Sequence, residues 1–193
     1  MILPIYTYGN DVLLKVAQPI QPTYENLPEL VTNMWDTMYN ASGVGLAAPQ
    51  IGLPIRLFVI DTTQKIDDDD EPNTTPPQQG LKKVFINAQK ITETGKPNSF
   101  EEGCLSIPGI RGDVERLSTI TIQYLDEQFQ QHTETFSGFN ARVIQHEYDH
   151  LEGILFTELL KPLKKRFVRP KLEKMKQGQV YASYKIRPPK LQR

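Results

Sequence analysis

The sequence predicts an α+β fold. Three observations carry that expectation: an early stretch with helical spacing of apolar residues, several short runs rich in β-branched and aromatic residues, and a later helical segment of mixed polarity. The 193 residues can bury a substantial core, and the expected unit is a single domain over 1–193. A short helical turn is expected from Val12 to Ala17, stopped by Pro19 and Pro22. The first long helix is predicted over Leu27 to Tyr39. There Leu27, Leu30, Val31, Met34 and Met38 form one apolar stripe, Pro28 suits the first turn and Gly43 lies just past the end. Strands are predicted at Ile55–Ile60 and Val84–Ile86.

Between these strands, Asp61 to Gly80 reads as a solvated loop insertion. Its four consecutive aspartates, Asp67 to Asp70, lack the spacing of a calcium loop. Ile120 to Leu125 alternates as a half-buried strand does, and a polar turn leads to a second strand near His132 to Phe136. A central helix is expected over Gly138 to Leu151, with Gly153 as its left-handed cap. A third helical stretch, Leu163 to Gln177, should be interrupted at Pro170. After Gly178, Val180 to Tyr184 is strand-like; the segment 163–193 is thus a helix and tail.

Composition removes several function classes. Lys and Arg number 22 against 23 Asp and Glu, so no basic field points to a nucleic-acid ligand. No apolar run is long enough to span a bilayer, and Met1 to Ile5 has no signal-peptide pattern. A single cysteine excludes an internal disulfide, which fits a reducing compartment. The expected setting is the cytoplasm.

The chemistry sits in three segments. His146-Glu147-Tyr148-Asp149-His150 matches H-E-x-x-H. On a helix, residues four apart differ by about 40° around the axis, so both imidazoles can reach one metal ion. Glu147 lies beside them, placed to hold a water without ligating the metal. Two histidines leave a catalytic metal site one ligand short. A metzincin protease would have its third His where Phe156 stands, and a thermolysin-like one would need Glu173, which lies beyond Pro170. Cys104, in Glu102-Gly103-Cys104-Leu105-Ser106, is the better third ligand, because a thiolate binds zinc or ferrous iron strongly. The third segment, Gly43 to Gln50, is rich in Gly and Ala and ends in an amide that can donate to an oxyanion.

Together and in this order, the three segments resemble the peptide deformylase family, with its Gly-x-Gly-x-Ala-Ala-x-Gln, Glu-Gly-Cys-x-Ser and Gln-His-Glu-x-x-Asp-His patterns. The resemblance spans roughly Ile2 to Pro162 and looks more like the common bacterial class, with no added residues between Ile51 and Arg56. It implies small antiparallel sheets around the HExxH helix, and removal of the formyl group from N-formylmethionine at the start of nascent polypeptides. It further implies a metal on Cys104, His146 and His150, with Glu147 as the proton acceptor. Gln50 and the Leu105 amide would hold the oxyanion. Val44 and Gly45 would flank the formyl group, and Phe139 and Val143 would line the methionine pocket. The implied ion is ferrous iron, Fe2+, although Zn2+, Ni2+ or Co2+ suit the same donors. A monomer is expected, with a ribosome as possible partner of the basic helix Lys161 to Lys176. Two rival readings are an endopeptidase with Glu173 as ligand and a degenerate module that binds peptides without chemistry; intact Glu147 and Gln50 weigh against the second.

Overall fold

In the computed structural model, residues 1–65 and 79–190 are described. The Asp67 to Asp70 run therefore lies outside the described residues. In chain order the elements are β1 (Ile5–Tyr6), α1 (Leu27–Asn40), β2 (Gly45–Ala47), β3 (Leu57–Asp61), β4 (Lys82–Cys104), β5 (Ile107–Leu125), β6 (Gln131–Ser137), α2 (Gly138–Leu151), α3 (Pro162–Lys176) and β7 (Ile186–Arg187). A five-stranded antiparallel sheet has the order β2-β3-β4-β5-β6. The α+β class holds, with the antiparallel strands gathered in this one sheet. The second, two-stranded sheet is parallel and joins the ends of the chain: β1 pairs with β7, Ile5 opposite Ile186.

A helix covers each face of the central part of the sheet, which explains why β3 is apolar at successive positions. Leu57 and Val59 turn toward Val31, Met34 and Met38 of α1. Phe58 and Ile60 turn the other way, into a cluster with Phe85, Ile120 and Ile122 of the sheet and Ala141, Val143 and Ile144 of α2. A third cluster seats α3, through Val168, Leu172 and Met175, against Ile107, Ile110 and Val114 of β5.

α1 and α2 fall where helical spacing places them. α2 ends as expected: Gly153 has φ +70°, and a Cβ there would collide with the Leu14 carbonyl. Other expectations need correction. The first turn is a 3₁₀ helix over Asp11–Leu14, and the strand expected at 55–60 runs over Leu57–Asp61. α3 continues through Pro170, because its buried residues on either side, Val168 and Leu172, anchor both halves to the same cluster. In the tail the strand is Ile186–Arg187, not Val180 to Tyr184. The largest difference is the hairpin β4–β5, of 23 and 19 residues where short strands were expected. It bends through register irregularities near Ile86, Lys90, Thr94 and Gly103.

Candidate active site

α2 runs beneath a long cleft. His146 and His150 project from successive turns of its face, with ring centroids 5.2 Å apart. Cys104 closes β4, and Leu105-Ser106 forms the tight turn before Cys104 pairs with Ile107. This turn brings Cys104 Sγ to 3.3 Å from His150 Nε2. One donor atom from each of Cys104, His146 and His150 lies within 4.8 Å of the others. One thiol and two imidazoles in this arrangement match the donors of a catalytic site with an open position.

The two imidazoles are held differently. His146 donates from Nδ1 to Glu102 Oε2 at 2.9 Å, so Nε2 is the nitrogen turned toward Cys104. His150 is buried, and its Nδ1 has no hydrogen-bond partner. Burial, with repulsion from His146 second, pushes the His150 imidazole well below its ordinary range, so it remains neutral with a lone pair to offer. Glu147 is also buried, and its Oε2 has no partner. Desolvation raises its carboxyl from 4.5 to about 7. A buried carboxylate oxygen without a partner, next to this donor set, is what a site built for a cation and a water would contain.

Gln50 sits in a 3₁₀ turn, Ala48–Ile51, directly after β2. Its Oε1 accepts from the Ala47 amide at 2.8 Å, so the side chain cannot flip. Its Nε2 therefore faces the site, 3.5 Å from Cys104 Sγ and 3.3 Å from Ser106 Oγ. Gly45 of β2 approaches so closely that a Cβ would collide with the Glu147 carboxylate. The cleft, of about 1470 Å³, is lined by Val44, Gly45, Gln50, Cys104, Leu105, Phe139, Val143, His146 and Glu147. Of the site residues that the resemblance implies, only His150 is not part of this lining; it is buried. Glu173 belongs elsewhere: it is exposed on α3 and pairs with Lys176 at 3.3 Å, which overturns the endopeptidase reading.

Sequence reasoning missed the groups that hold the histidine side of the site. Glu102 is buried and receives Arg116 Nε at 2.7 Å and Arg142 Nη1 at 2.9 Å, besides His146. Burial alone would raise its carboxyl. Hydrogen bonds from His146 and Arg116 outweigh that and hold it well below the usual carboxylate range. Arg116 also binds Asp149 at 2.7 Å, tying the strand to the middle of the HExxH segment. Position two before Cys104 was the only sequence signal for Glu102; Arg116 had none. Tyr184 was missed too: its hydroxyl donates to the Leu105 carbonyl at 2.7 Å, and burial pushes its own ionisation up to about 12.

A mixed sheet-and-helix fold, with a Cys/His/His donor set beside a buried glutamate in a cleft, suits a metal-dependent hydrolase. The comparisons with known proteins give the particular family. The profile of the polypeptide deformylase family matches residues 2–166, and the chain belongs to that family. It is similar to a peptide deformylase of Christiangramia forsetii, 55% identical over 190 residues that cover 98% of this chain and 97% of that one. A Flavobacterium johnsoniae peptide deformylase is 54% identical over 188 residues, 97% and 96% of the two chains. Among solved structures, a peptide deformylase from Legionella pneumophila superposes with TM-score 0.76 at 39% identity, covering 93% of this chain and 98% of that one. One from Arabidopsis thaliana, in complex with an inhibitor, gives TM-score 0.80 at 33% identity, covering 91% of each. The activity is that of the family: hydrolytic removal of the N-formyl group from the methionine that begins nascent polypeptides. Among the described residues no helix is long and apolar enough to cross a membrane.

Proposed function

We propose that Cys104, His146 and His150 hold one divalent cation, that Glu147 moves the proton, and that Gln50 and the Leu105 amide hold the oxyanion. The supporting observation is the unpartnered Glu147 oxygen beside one thiol and two imidazole donors. A divalent cation, when bound there, supplies Lewis acidity toward the formyl oxygen and makes water more acidic. Glu147 accepts a proton from the attacking water as the formyl carbon becomes tetrahedral. It then passes that proton to the departing amine, so the products are formate and a free N-terminal methionine. A carboxyl raised by burial suits a group that both takes and returns a proton near neutrality. Gln50 Nε2, fixed by the Ala47 amide, donates to the oxyanion from one side. The Leu105 N–H does so from the turn.

β2 is an edge strand of the five-stranded sheet, so an extended peptide can pair along it at Gly45. Val44 and Gly45 restrict the acyl group to formyl, and Phe139 and Val143 receive the methionine side chain. Ferrous iron is the proposed native ion, held by the same donors that suit zinc, nickel or cobalt. The proposed setting is the cytoplasm. The exposed basic residues of α3, among them Lys165, Arg166 and Arg169, suit docking to the ribosome near the cleft.

The test is formate release from a formyl-methionyl peptide by protein purified without oxygen, with metal analysis. Iron-loaded protein should turn over and lose activity in air; nickel or cobalt forms should keep it. Equal turnover of iron and zinc forms per bound metal, with no loss of the iron form in air, would remove iron from the assignment. No formate release with any metal would remove the site assignment itself.

A further inference from the structure

The family profile ends at residue 166, yet the chain continues into the cleft. After α3 the tail turns back, and Tyr181, Ala182, Ser183 and Tyr184 line the same cavity as Cys104 and Glu147. The tail is fastened to the other end of the chain. Ile5 N–H donates to Lys185 C=O at 2.9 Å, Thr7 N–H to Arg187 C=O at 3.1 Å, and Asn10 Nδ2 to the same Arg187 carbonyl. The two terminal segments then grip one turn. Tyr8 N–H donates to the Ser106 carbonyl at 2.8 Å, and Tyr184 O–H to the Leu105 carbonyl at 2.7 Å.

We propose that Tyr184 is a positioning residue for deformylation: its hydroxyl fixes the Leu105 carbonyl and thereby the turn that presents the Leu105 amide to the site. The inference rests on the assignment of the Leu105 N–H as an oxyanion donor. Two peptide planes flank Leu105. Cys104 is held by pairing with Ile107, which anchors the turn on its strand side. Tyr184 pins the Leu105–Ser106 plane from the other side, so little rotation is left at Leu105. An oxyanion donor is effective only when its direction is set before the charge forms. A side chain from beyond residue 166 therefore completes the active site.

Tyr184→Phe keeps the ring and removes only the hydroxyl. With a formyl-methionyl tripeptide, kcat should fall about tenfold, because the Leu105 N–H would no longer be held in the direction of the oxyanion. KM and metal content should hold, and the melting temperature should fall by no more than about 2–4 °C, the cost of one hydrogen bond. An independent readout comes from carbonyl-13C leucine with 15N serine in the zinc-loaded protein. Only Leu105–Ser106 and Leu117–Ser118 join these residue types, so two signals are expected, and the Leu105 signal should move in the variant. Unchanged kcat, or an unmoved Leu105 signal, overturns the proposal. A kcat loss that comes with lost metal, or with a melting temperature lowered by roughly 10 °C or more, also overturns it, because the role is then structural alone. Gln50→Ala, run in parallel, separates the two readings. If it is impaired while Tyr184→Phe is not, the oxyanion assignment stands and the tail has no part in it; if neither is impaired, the oxyanion assignment itself falls.

Discussion

The two halves of the site are built in different ways. The helical half, His146, Glu147 and His150, comes from five consecutive residues whose relative placement follows from helix geometry alone. The other half, Cys104 at the end of β4 and Leu105 in the two-residue turn that follows, is contacted by distant segments: Gln50 after β2, Tyr8 after β1 and Tyr184 in the tail. A helix supplies its own rigidity through backbone hydrogen bonds, whereas a turn borrows rigidity from what packs around it. Perturbations of the helical half should therefore act through the groups themselves, and those of the turn through position.

The largest effects should come from the donors. Cys104→Ala and His150→Ala should each lose the metal and the activity together, read by metal analysis and formate release. If either retains both, the two halves do not share one ion. Next comes Glu147→Ala, which should keep the metal while turnover drops by about 10² to 10⁴, the range for a positioned acid or base. Near-native turnover would take Glu147 out of the chemistry.

Glu102→Gln should lower metal affinity or turnover by about 10- to 100-fold, the usual effect of removing a hydrogen-bond partner behind a ligating histidine. It should also destabilise the fold, because Arg116 and Arg142 would lose their shared buried carboxylate. An unchanged denaturation midpoint would show that Asp149 alone can balance Arg116.

A pH-dependent comparison follows from Glu147. Burial raises its folded-state ionisation from 4.5 to about 7, so folding favours the protonated form. The resulting penalty is absent below about pH 4.5, grows as pH rises, and is complete above 7. In metal-stripped protein, Glu147→Gln should be more stable than the parent at pH 8, by at most about 3 kcal/mol, with the gap closing toward pH 4.5. Denaturant unfolding at both pH values checks the sign; a gap that widens on acidification would refute it. The smallest effect belongs to Glu173→Ala, which removes only an exposed pair with Lys176 and should change stability by less than about 1 kcal/mol and activity not at all.

How much of this was legible in the sequence depends on the range of the interactions. α2 was readable to its last residue, because an apolar period, a starting Gly138 and a terminal Gly153 are local signals. Cys104 was readable through arithmetic: two histidines need a third donor, and the chain has one cysteine. The length of β4 was not. Residues 89–101 are mostly polar and largely exposed, contain Gly95 and Pro97, and form a strand only because β5 lies alongside. Arg116 lies before the strand expected at Ile120 to Leu125 and carried no signal; it is tied down by Glu102 and Asp149 on two other elements. Pro170 misled in the opposite direction, since the packing of Val168 and Leu172 outweighed one missing amide donor.

The most direct test of the claim that both halves hold one ion is a cobalt(II) titration of metal-free protein, followed by absorption spectroscopy. Because Cys104 is the only cysteine, a thiolate-to-cobalt charge-transfer band can come from nowhere else. The expected result is that this band grows to saturation at one equivalent, together with the visible bands of four-coordinate cobalt, and is missing from Cys104→Ser. Stoichiometric cobalt binding without the thiolate band would contradict the account, leaving a site of histidines to which the turn contributes nothing.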